Sequence, residues 1–302
     1  VTRTLILSAR PDLYSTHRLL EEAHRAGLEA DVVDHRRCSL GVGGTTRVIY
    51  EGTELRPALI VPRIGHRSSR FGAAVIRQFE SMGARSTTPA GAVLRARDKF
   101  AAIQAMATAG VPVPVTSMAR SPSGIAEVLE LIGGTPVVVK LVEGTHGSGV
   151  VLAETRKAAE SLLAAFHQLA ADMCVQEFVK EAGGEDLRAI VVGGRVVAAI
   201  RRQASQGEFR ANLHQGGVAS AVDLTAKERR VAVAAARAVG LSVAGVDMLR
   251  TEAGPLVLEA NVSPGLQGVE AASGVNVAAA IIAYAISLVD GAPADAKGRS
   301  GS

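Results

Sequence analysis

Val243-Ala244-Gly245-Val246-Asp247-Met248-Leu249-Arg250 and Pro255-Leu256-Val257-Leu258-Glu259-Ala260-Asn261 decide how this chain is read. Each is an apolar run of strand length, and Glu252-Ala253-Gly254 between them carries the turn chemistry of a hairpin. Side chains alternate along a strand, so Val257, Glu259 and Asn261 are predicted on one face and Leu256 and Leu258 on the other. Closing the hairpin brings Asp247 alongside Glu259. Two acids facing each other across a strand pair repel unless a cation lies between them. Asp247, Glu259 and Asn261 are hard oxygen donors with no His or Cys among them, a set that suits Mg2+, with Mn2+ as an alternative. The other reading of this face is a solvated strand end.

Upstream, residues 136–141 form a strong β run that includes Lys140. Glu143-Gly144-Thr145-His146-Gly147-Ser148-Gly149 follows as a glycine-rich turn, and residues 150–153 return as a second strand, a pattern expected to make a mobile flap. A lysine there reaches phosphate oxygens while backbone N–H groups of the loop close over them. The loop is not a P-loop: Gly144 and Gly149 have the spacing, but Val150 stands where lysine is required. Any hairpin turn can be glycine-rich, so the flap takes its meaning from Lys140 and the carboxylate face.

Before these elements, the chain alternates strands (residues 4–8, 30–34, 59–61) with helical patterns (residues 15–26 and 69–82), the rhythm of a small parallel sheet with helices on its faces. The first helical pattern pairs Glu21 with Arg25 and is followed by Gly27. Ser8-Ala9-Arg10-Pro11-Asp12 replaces the glycine fingerprint of a dinucleotide fold. Thr88-Pro89 reads as an N-cap and first helical residue at a composition shift, and a helix is predicted over residues 95–109, ending at Gly110. Strands are predicted over residues 115–118, 174–179, 188–192 and 195–201, with Gly193-Gly194 a hairpin signal. Helices are predicted from Ser121-Pro122 to Gly133-Gly134 and over residues 155–169. Residues 203–217 read as a long polar loop. Thr225-Ala226-Lys227-Glu228 is a capping box opening a helix that ends at Gly240, and a last helix spans residues 275–289. The expected class is α/β (α+β).

Composition narrows the function. Charged residues make up 21% and hydrophobic ones 48%, which excludes a disordered chain. No apolar run reaches the roughly 18 residues of a membrane helix, and the first residues lack a signal peptide's pattern, so a cytoplasmic location is the expectation. Cys38 and Cys174 lie far apart and outside any C-x-x-C, which argues against a zinc site or a disulfide framework. Aromatics at 3% leave few stacking platforms for single-stranded nucleic acid. A net charge of +4, spread along the chain, fits a solvated surface or a cleft for acidic or phosphorylated substrates.

The order of these pieces is recognisable: Lys99, Lys140 with the flap, Gln176-Glu177-Phe178-Val179, Asp186-x-Arg188, Arg210-x-Asn212, Asp247 and Glu259-x-Asn261-x-Ser263-Pro264-Gly265 resemble the ATP-grasp superfamily. Within it, Val61-Pro62-Arg63-Ile64-Gly65, Val139-Lys140-Leu141-Val142-Glu143-Gly144-Thr145, Ala153-Glu154-Thr155-Arg156 and Glu259-Ala260-Asn261-Val262-Ser263-Pro264-Gly265 resemble the RimK glutamate ligases, from about Leu5 to Ser287. His146-Gly147-Ser148 and Gln215 are departures that bear on flap kinetics and acceptor choice.

The resemblance implies an ATP-grasp fold with a pre-ATP-grasp domain over residues 1–88. A central subdomain with the flap would span 89–175, a metal-bearing subdomain 176–290 and a flexible tail 291–302. It implies Lys99 and Lys140 on the ATP phosphates, backbone of Glu177 and Phe178 on adenine, and Asp186 on the ribose. Arg210, Ala211 and Asn212 would lie on the phosphate side. Asp247, Glu259 and Asn261 would hold two Mg2+ ions, with Glu259 bridging. Arg202 and Arg210 would be the catalytic cations. Because both substrates are anionic, Arg63, Arg201, Arg202 and Arg210 are candidate clamps, with Arg63 and Arg201 assigned to substrate binding; the other reading of each is a surface arginine. The implied reaction joins a carboxylate to an amine through an acyl phosphate. L-glutamate would be the amine and an acidic peptide or a ribosomal protein C-terminus the acceptor, or glutamate would extend into an α-linked oligomer. No direct nucleic-acid or membrane partner is expected, and the assembly implied is a homo-oligomer, a tetramer. Alternatives are a ligase of another amino acid (a carrier-protein amino-adipate ligase or a dipeptide ligase), a non-catalytic nucleotide-binding regulator, and, from the basic balance alone, a nucleic-acid binder.

Overall fold

The computed structural model describes residues 3–121, 124–142, 149–205, 208 and 217–291. The chain opens with β1 (Arg3–Ser8), α1 (Tyr14–Arg25) and β2 (Glu29–Val33). An antiparallel trio follows, β3 (Cys38–Gly41), β4 (Arg47–Tyr50) and β5 (Thr53–Glu54), and then β6 (Leu59–Arg63), α2 (Ser69–Ser81) and β7 (Arg85–Ser86). The parallel sheet runs β2-β1-β6-β7. Its central strand β1 is buried on both faces, so its period-2 signal vanishes into a continuous apolar run. The trio was not anticipated: its strands are short, and Gly43 and Gly44 between β3 and β4 both take positive φ, which breaks any run a sequence window could register.

One helix predicted over residues 95–109 is two. α3 (Ala90–Arg97) stops and α4 (Lys99–Thr108) starts afresh, because Asp98 is extended and its carboxylate accepts from Ala101 N as an N-cap. This break fixes where Arg97 and Lys99 point. Pro89 is the residue before α3 rather than its first. The central unit contains β8 (Thr116–Ser117), α5 (Ile125–Ile132), β9 (Val137–Leu141), β10 (Val150–Ala153), α6 (Arg156–Gln168) and β11 (Met173–Glu177), with sheet order β10-β9-β11-β8. β9 and β10 are antiparallel with Lys140 opposite Val150. The tip of the flap between them, residues 143–148, lies outside the described residues, as does Pro122 at the expected start of α5.

The last sheet runs β14-β13-β12-β15-β16, from β12 (Glu185–Val192), β13 (Arg195–Gln203), β14 (Val218–Ala221), β15 (Val243–Thr251) and β16 (Gly254–Asn261). Between β14 and β15 lies α7 (Ala226–Val239), opened by the Thr225–Glu228 capping box and closed by left-handed Gly240. α8 (Gln267–Ser273) and α9 (Val277–Val289) finish the described chain. α8 and β14 were not anticipated; β14 emerges from the polar loop as a short, half-exposed edge strand.

The parallel sheet and the five-stranded sheet share two cores. Leu5, Ile60 and Phe79 belong to the same cluster as Ala189, Val246, Val257 and the α7 alanines. Ile6, Leu19 and Val61 join Ile190, Ile200 and the buried face of α9. The central unit keeps its own core of Val128, Leu129, Val137, Val139, Leu163 and Val175. Phe79, fully buried, is worth about 3–5 kcal/mol against truncation to alanine. Among the described residues no single helix is long and apolar enough to cross a membrane.

Candidate functional site

A cleft of about 980 Å3 opens between the five-stranded sheet, the central sheet and the loops that follow β1 and β6. Antiparallel pairing places Arg188 opposite Asp247, Asp247 opposite Glu259, Gly245 opposite Asn261 and Asp186 opposite Arg202. The predicted carboxylate face therefore exists, but its alternation is altered. β16 carries an extra residue at Leu258, so Asp247 faces Glu259 while Met248 faces Val257. A bulge sets two residues against one. Val257 is thereby moved off the Glu259–Asn261 face into the core beside Ala260, and Leu258 joins Glu259 and Asn261 along the cleft. Gly245 is required by close approach: a Cβ there would meet Pro264 Cβ at 2.8 Å, displacing the loop after β16.

Charges on this face are interlocked. Arg188 donates Nε to Asp247 Oδ1 at 2.7 Å and Nη2 to Oδ2 at 2.5 Å. Arg202 donates Nε and Nη2 to the two Asp186 oxygens at 2.6 and 2.5 Å, and its Nη2 lies 3.0 Å from Asp247 Oδ2. Burial works against a charged Asp247, but the Arg188 and Arg202 guanidiniums outweigh it and hold the carboxyl below the usual carboxylate range. Asp186 goes the other way: burial lifts it, Arg202 opposes and Asp247's charge adds, leaving it at about 6. The Asn261 amide nitrogen donates to Glu259 Oε1 at 2.9 Å and reaches Asp247 Oδ2 at 3.4 Å. A positive dipole end thus sits between the two carboxylates, where a cation would be favoured, and a half-turn of the amide would present its oxygen instead. Two carboxylates and an amide fit Mg2+ with positions left for phosphate and water. Among the described residues no group of three or more His, Cys, Asp or Glu forms an alternative cluster.

Across the cleft, Lys140 Nζ donates to Gln176 Oε1 at 2.6 Å, and Gln176 Nε2 donates to Thr116 Oγ1 at 2.9 Å. Lys99, first residue of α4, donates Nζ to the Leu141 and Val142 carbonyls at 2.9 and 3.3 Å. Burial lowers both lysines' pKa values, and Glu259 is the leading charge that opposes it in each. Both cations line the same cleft as the carboxylate face. Glu177 N donates to Val115 O while Glu177 Oε1 accepts from Val115 N, both at 2.9 Å, which pins the strand end where Phe178 and Val179 line the cleft.

Asp186 lines the cleft with both oxygens engaged by Arg202, so a ribose hydroxyl would share them. Arg63 also lines it, donating Nη2 to Pro264 O at 2.6 Å. Arg201 is a correction. It precedes Arg202 on β13 and therefore points from the opposite face, its side chain 51% exposed and 3.6 Å from Glu185. It is not among the residues lining the cleft, although its partner Glu185 is, so the geometry gives the expected clamp no place on the cleft wall. Arg210, Ala211 and Asn212 lie outside the described residues, as do residues 292–302 of the expected tail. Sequence reasoning missed Arg97 and Ser263, which line the cleft beside Arg63. The signal for Arg97 was its place directly before the Asp98 cap, hidden while one continuous helix was expected.

Comparison with known proteins gives this architecture its family. Residues 3–93 match the RimK PreATP-grasp domain, and residues 96–285 match the RimK-like ATP-grasp domain. A probable alpha-L-glutamate ligase of Thioalkalivibrio sulfidiphilus is 52% identical over 281 residues, 92% of this chain and 93% of that relative. One of Aliivibrio salmonicida is 50% identical over 281 residues, again 92% and 93%. Among solved structures, a RimK domain protein of Sphaerobacter thermophilus superposes with a TM-score of 0.71 at 22% identity, covering 94% of this chain and 99% of that one. The ATP-grasp ligase PsnB complexed with a minimal precursor gives 0.74 at 21% identity, covering 95% and 99%. The chain belongs to the RimK-like ATP-grasp family.

Proposed function

We propose that this chain is an ATP-dependent carboxylate–amine ligase that adds L-glutamate to the C-terminal glutamate of an acidic peptide, such as a ribosomal protein C-terminus, or extends glutamate into an α-linked oligomer. One observation carries the reading. The Asp247–Glu259–Asn261 face and the Lys99–Lys140 pair line a single cleft, and Glu259 is the leading opposing charge on both lysines. The names of the 50–52% identical relatives support glutamate as the amine. A homo-oligomer is the assembly the reading carries with it.

The chemistry balances in two steps. A carboxylate oxygen of the acceptor attacks the γ-phosphorus of ATP; the bond to the β,γ-bridging oxygen breaks, and ADP leaves with the electron pair. The amine of glutamate then attacks the acyl carbon of the acyl phosphate. Inorganic phosphate departs, the amide forms and the amine's surplus proton passes to solvent. A free carboxylate would have to expel oxide, so phosphorylation is what makes its carbon attackable.

Asp247, Glu259 and Asn261 would hold Mg2+, or Mn2+ in its place, which when bound neutralises phosphate charge. Lys140, with Gln176 fixing its ammonium, and Lys99, fixed by two carbonyls, present preorganised positive charge to the phosphates. Arg188 and Arg202 keep Asp247 ionised and aimed, and Arg202 and Arg210 would offset charge on the transferring phosphoryl group. Arg63 faces the substrate end. Glu177 and Phe178 would carry adenine, Asp186 the ribose, and Ala211 and Asn212 would complete the phosphate side. Position and charge do the work, with no covalent enzyme intermediate.

The test is ADP release by the full chain with Mg-ATP and an acceptor peptide ending in glutamate, screened across single amino acids. Release stimulated selectively by L-glutamate is expected. Selective stimulation by another amino acid would replace glutamate, and nucleotide binding without any turnover would replace the ligase reading by a regulatory one.

A further inference from the structure

At the end of the cleft formed by the loops after β6 and β16, Arg63, so far placed only at the substrate end, stands with two donors that none of the preceding roles employs, Arg97 and Ser263. Arg97 Nη2 donates to Ile64 O at 2.5 Å and Arg63 Nη2 donates to Pro264 O at 2.6 Å, so each guanidinium fastens the loop that carries its neighbour. Those two bonds use one nitrogen each of groups that carry five N–H donors. Arg97 Nε is buried with no hydrogen-bond partner, and so is Ser263 Oγ. All three side chains line the same cleft. Among the described residues, the charge acting on Arg63 is that of Arg97, a like charge, and burial with that repulsion pushes Arg63 down to about 10. Arg97 is likewise lowered by burial, and the charge that relieves it is Glu259.

A neutral donor would hold two loop carbonyls as well as a guanidinium does. Two neighbouring half-buried cations, together with a buried N–H and a buried hydroxyl that lack partners, are costly unless an anion completes them. Two guanidiniums and a hydroxyl suit the two oxygens of a carboxylate. Arg63, Arg97 and Ser263 line the same cleft as Glu259 and Asn261, and Ser263 follows Asn261 by two residues, which places this group beside the proposed phosphate-binding face. The substrate group that must lie next to the γ-phosphorus is the attacking carboxylate.

We infer that Arg63, Arg97 and Ser263 form an anion subsite that holds the acceptor's reacting carboxylate against the γ-phosphate. This rests on the ligase reading and adds to it the location of one of the two anionic substrates. It assigns the glutamate that supplies the amine to another part of the cleft.

Hydroxylamine isolates the step, because it converts an acyl phosphate to a hydroxamate and free phosphate without any amino acid. The full chain is supplied with Mg-ATP, hydroxylamine and a short peptide ending in glutamate. Ser263→Ala is expected to raise the acceptor KM roughly tenfold, and Arg97→Lys, which keeps the charge but removes Nε, by roughly a hundredfold. The KM for ATP should stay within about twofold, since neither group is assigned to the nucleotide. Ser263→Ala removes only a hydroxyl, so the inference does not hang on a variant that strains the fold. An unchanged acceptor KM in both variants overturns the inference, as does an equal rise in the ATP KM. In the amide-forming assay, a raised glutamate KM with the acceptor KM intact would give the subsite to the amine donor and overturn it equally. Absence of hydroxamate in the unaltered protein with every carboxylate tried would instead overturn the ligase reading, and this assignment with it.

Discussion

Two sets of arginines face one cleft under opposite electrostatic conditions. On the five-stranded sheet, Arg188 and Arg202 grip Asp247 and Asp186 with paired hydrogen bonds of 2.5–2.7 Å. At the loops after β6 and β16, Arg63 and Arg97 hold only backbone carbonyls and are left beside each other. The first set is already paired in the free protein: it holds Asp247 beside Glu259 and Asn261, and Arg202 would in addition offset charge on the transferring phosphoryl group. The second set is incomplete, and what completes it is a ligand. Residue type alone draws no such distinction; the neighbouring strand or loop does.

The largest expected effect lies between the two sets, at Glu259. Glu259→Gln keeps the side chain's shape and an acceptor for the Asn261 amide but removes the charge proposed to bridge two Mg2+ ions. ADP formation should fall on the order of a thousandfold or more, with the thermal midpoint essentially unmoved. Turnover at the original rate would remove Glu259 from the site.

Next comes the paired set. Arg202→Met leaves Asp186 and Asp247 adjacent without the guanidinium between them, and should cost about 3–5 kcal/mol of stability in urea unfolding. A cost near zero would mean that the network contributes no more than an apolar filler. The unpaired set should respond in the opposite sense. Arg63→Met removes a desolvated cation facing another cation, and should raise stability by about 1 kcal/mol while abolishing ligation. If Arg63→Met were as destabilising as Arg202→Met, the contrast between the sets would collapse.

The smallest effect is a control far from both. Glu228 closes the capping box and takes Arg250 through both oxygens; burial works against its charge, but Arg250 and the Thr225 backbone win, and its pKa is lowered from 4.5. A carboxylate with a depressed folded-state pKa contributes stability above its unfolded pKa and loses it as pH falls through the folded value. Glu228→Gln should therefore cost about 1 kcal/mol at neutral pH, with the gap to the unaltered protein closing below pH 4.5. A gap that persists in strong acid would contradict the sign. Ligase activity should not follow it.

Much of this was legible in the chain. The Glu259-x-Asn261 pattern and Asp247 on a partner strand needed only strand periodicity and a turn, and the capping box at Thr225 needed only local hydrogen bonding. What escaped depended on tertiary facts. The bulge at Leu258 turned Val257 to the other face, because register is set by the partner strand and not by the strand's own pattern. Asp98 split a helix because it found a backbone donor to cap, which placed Arg97 beside Arg63. Arg201 and Arg202 are indistinguishable as residue types, and which one enters the cleft was decided by where Asp186 stands on β12.

The most direct test of the ligase account follows one atom. The acceptor peptide is labelled with 18O in its C-terminal α-carboxylate and incubated with the full chain, Mg-ATP and L-glutamate, and both the peptide product and the released phosphate are weighed by mass spectrometry. Ligation through an acyl phosphate predicts a peptide longer by one or more glutamates, and one 18O carried into phosphate for the first amide made on each acceptor. Phosphate without label, or ADP released with no extended peptide, would contradict it.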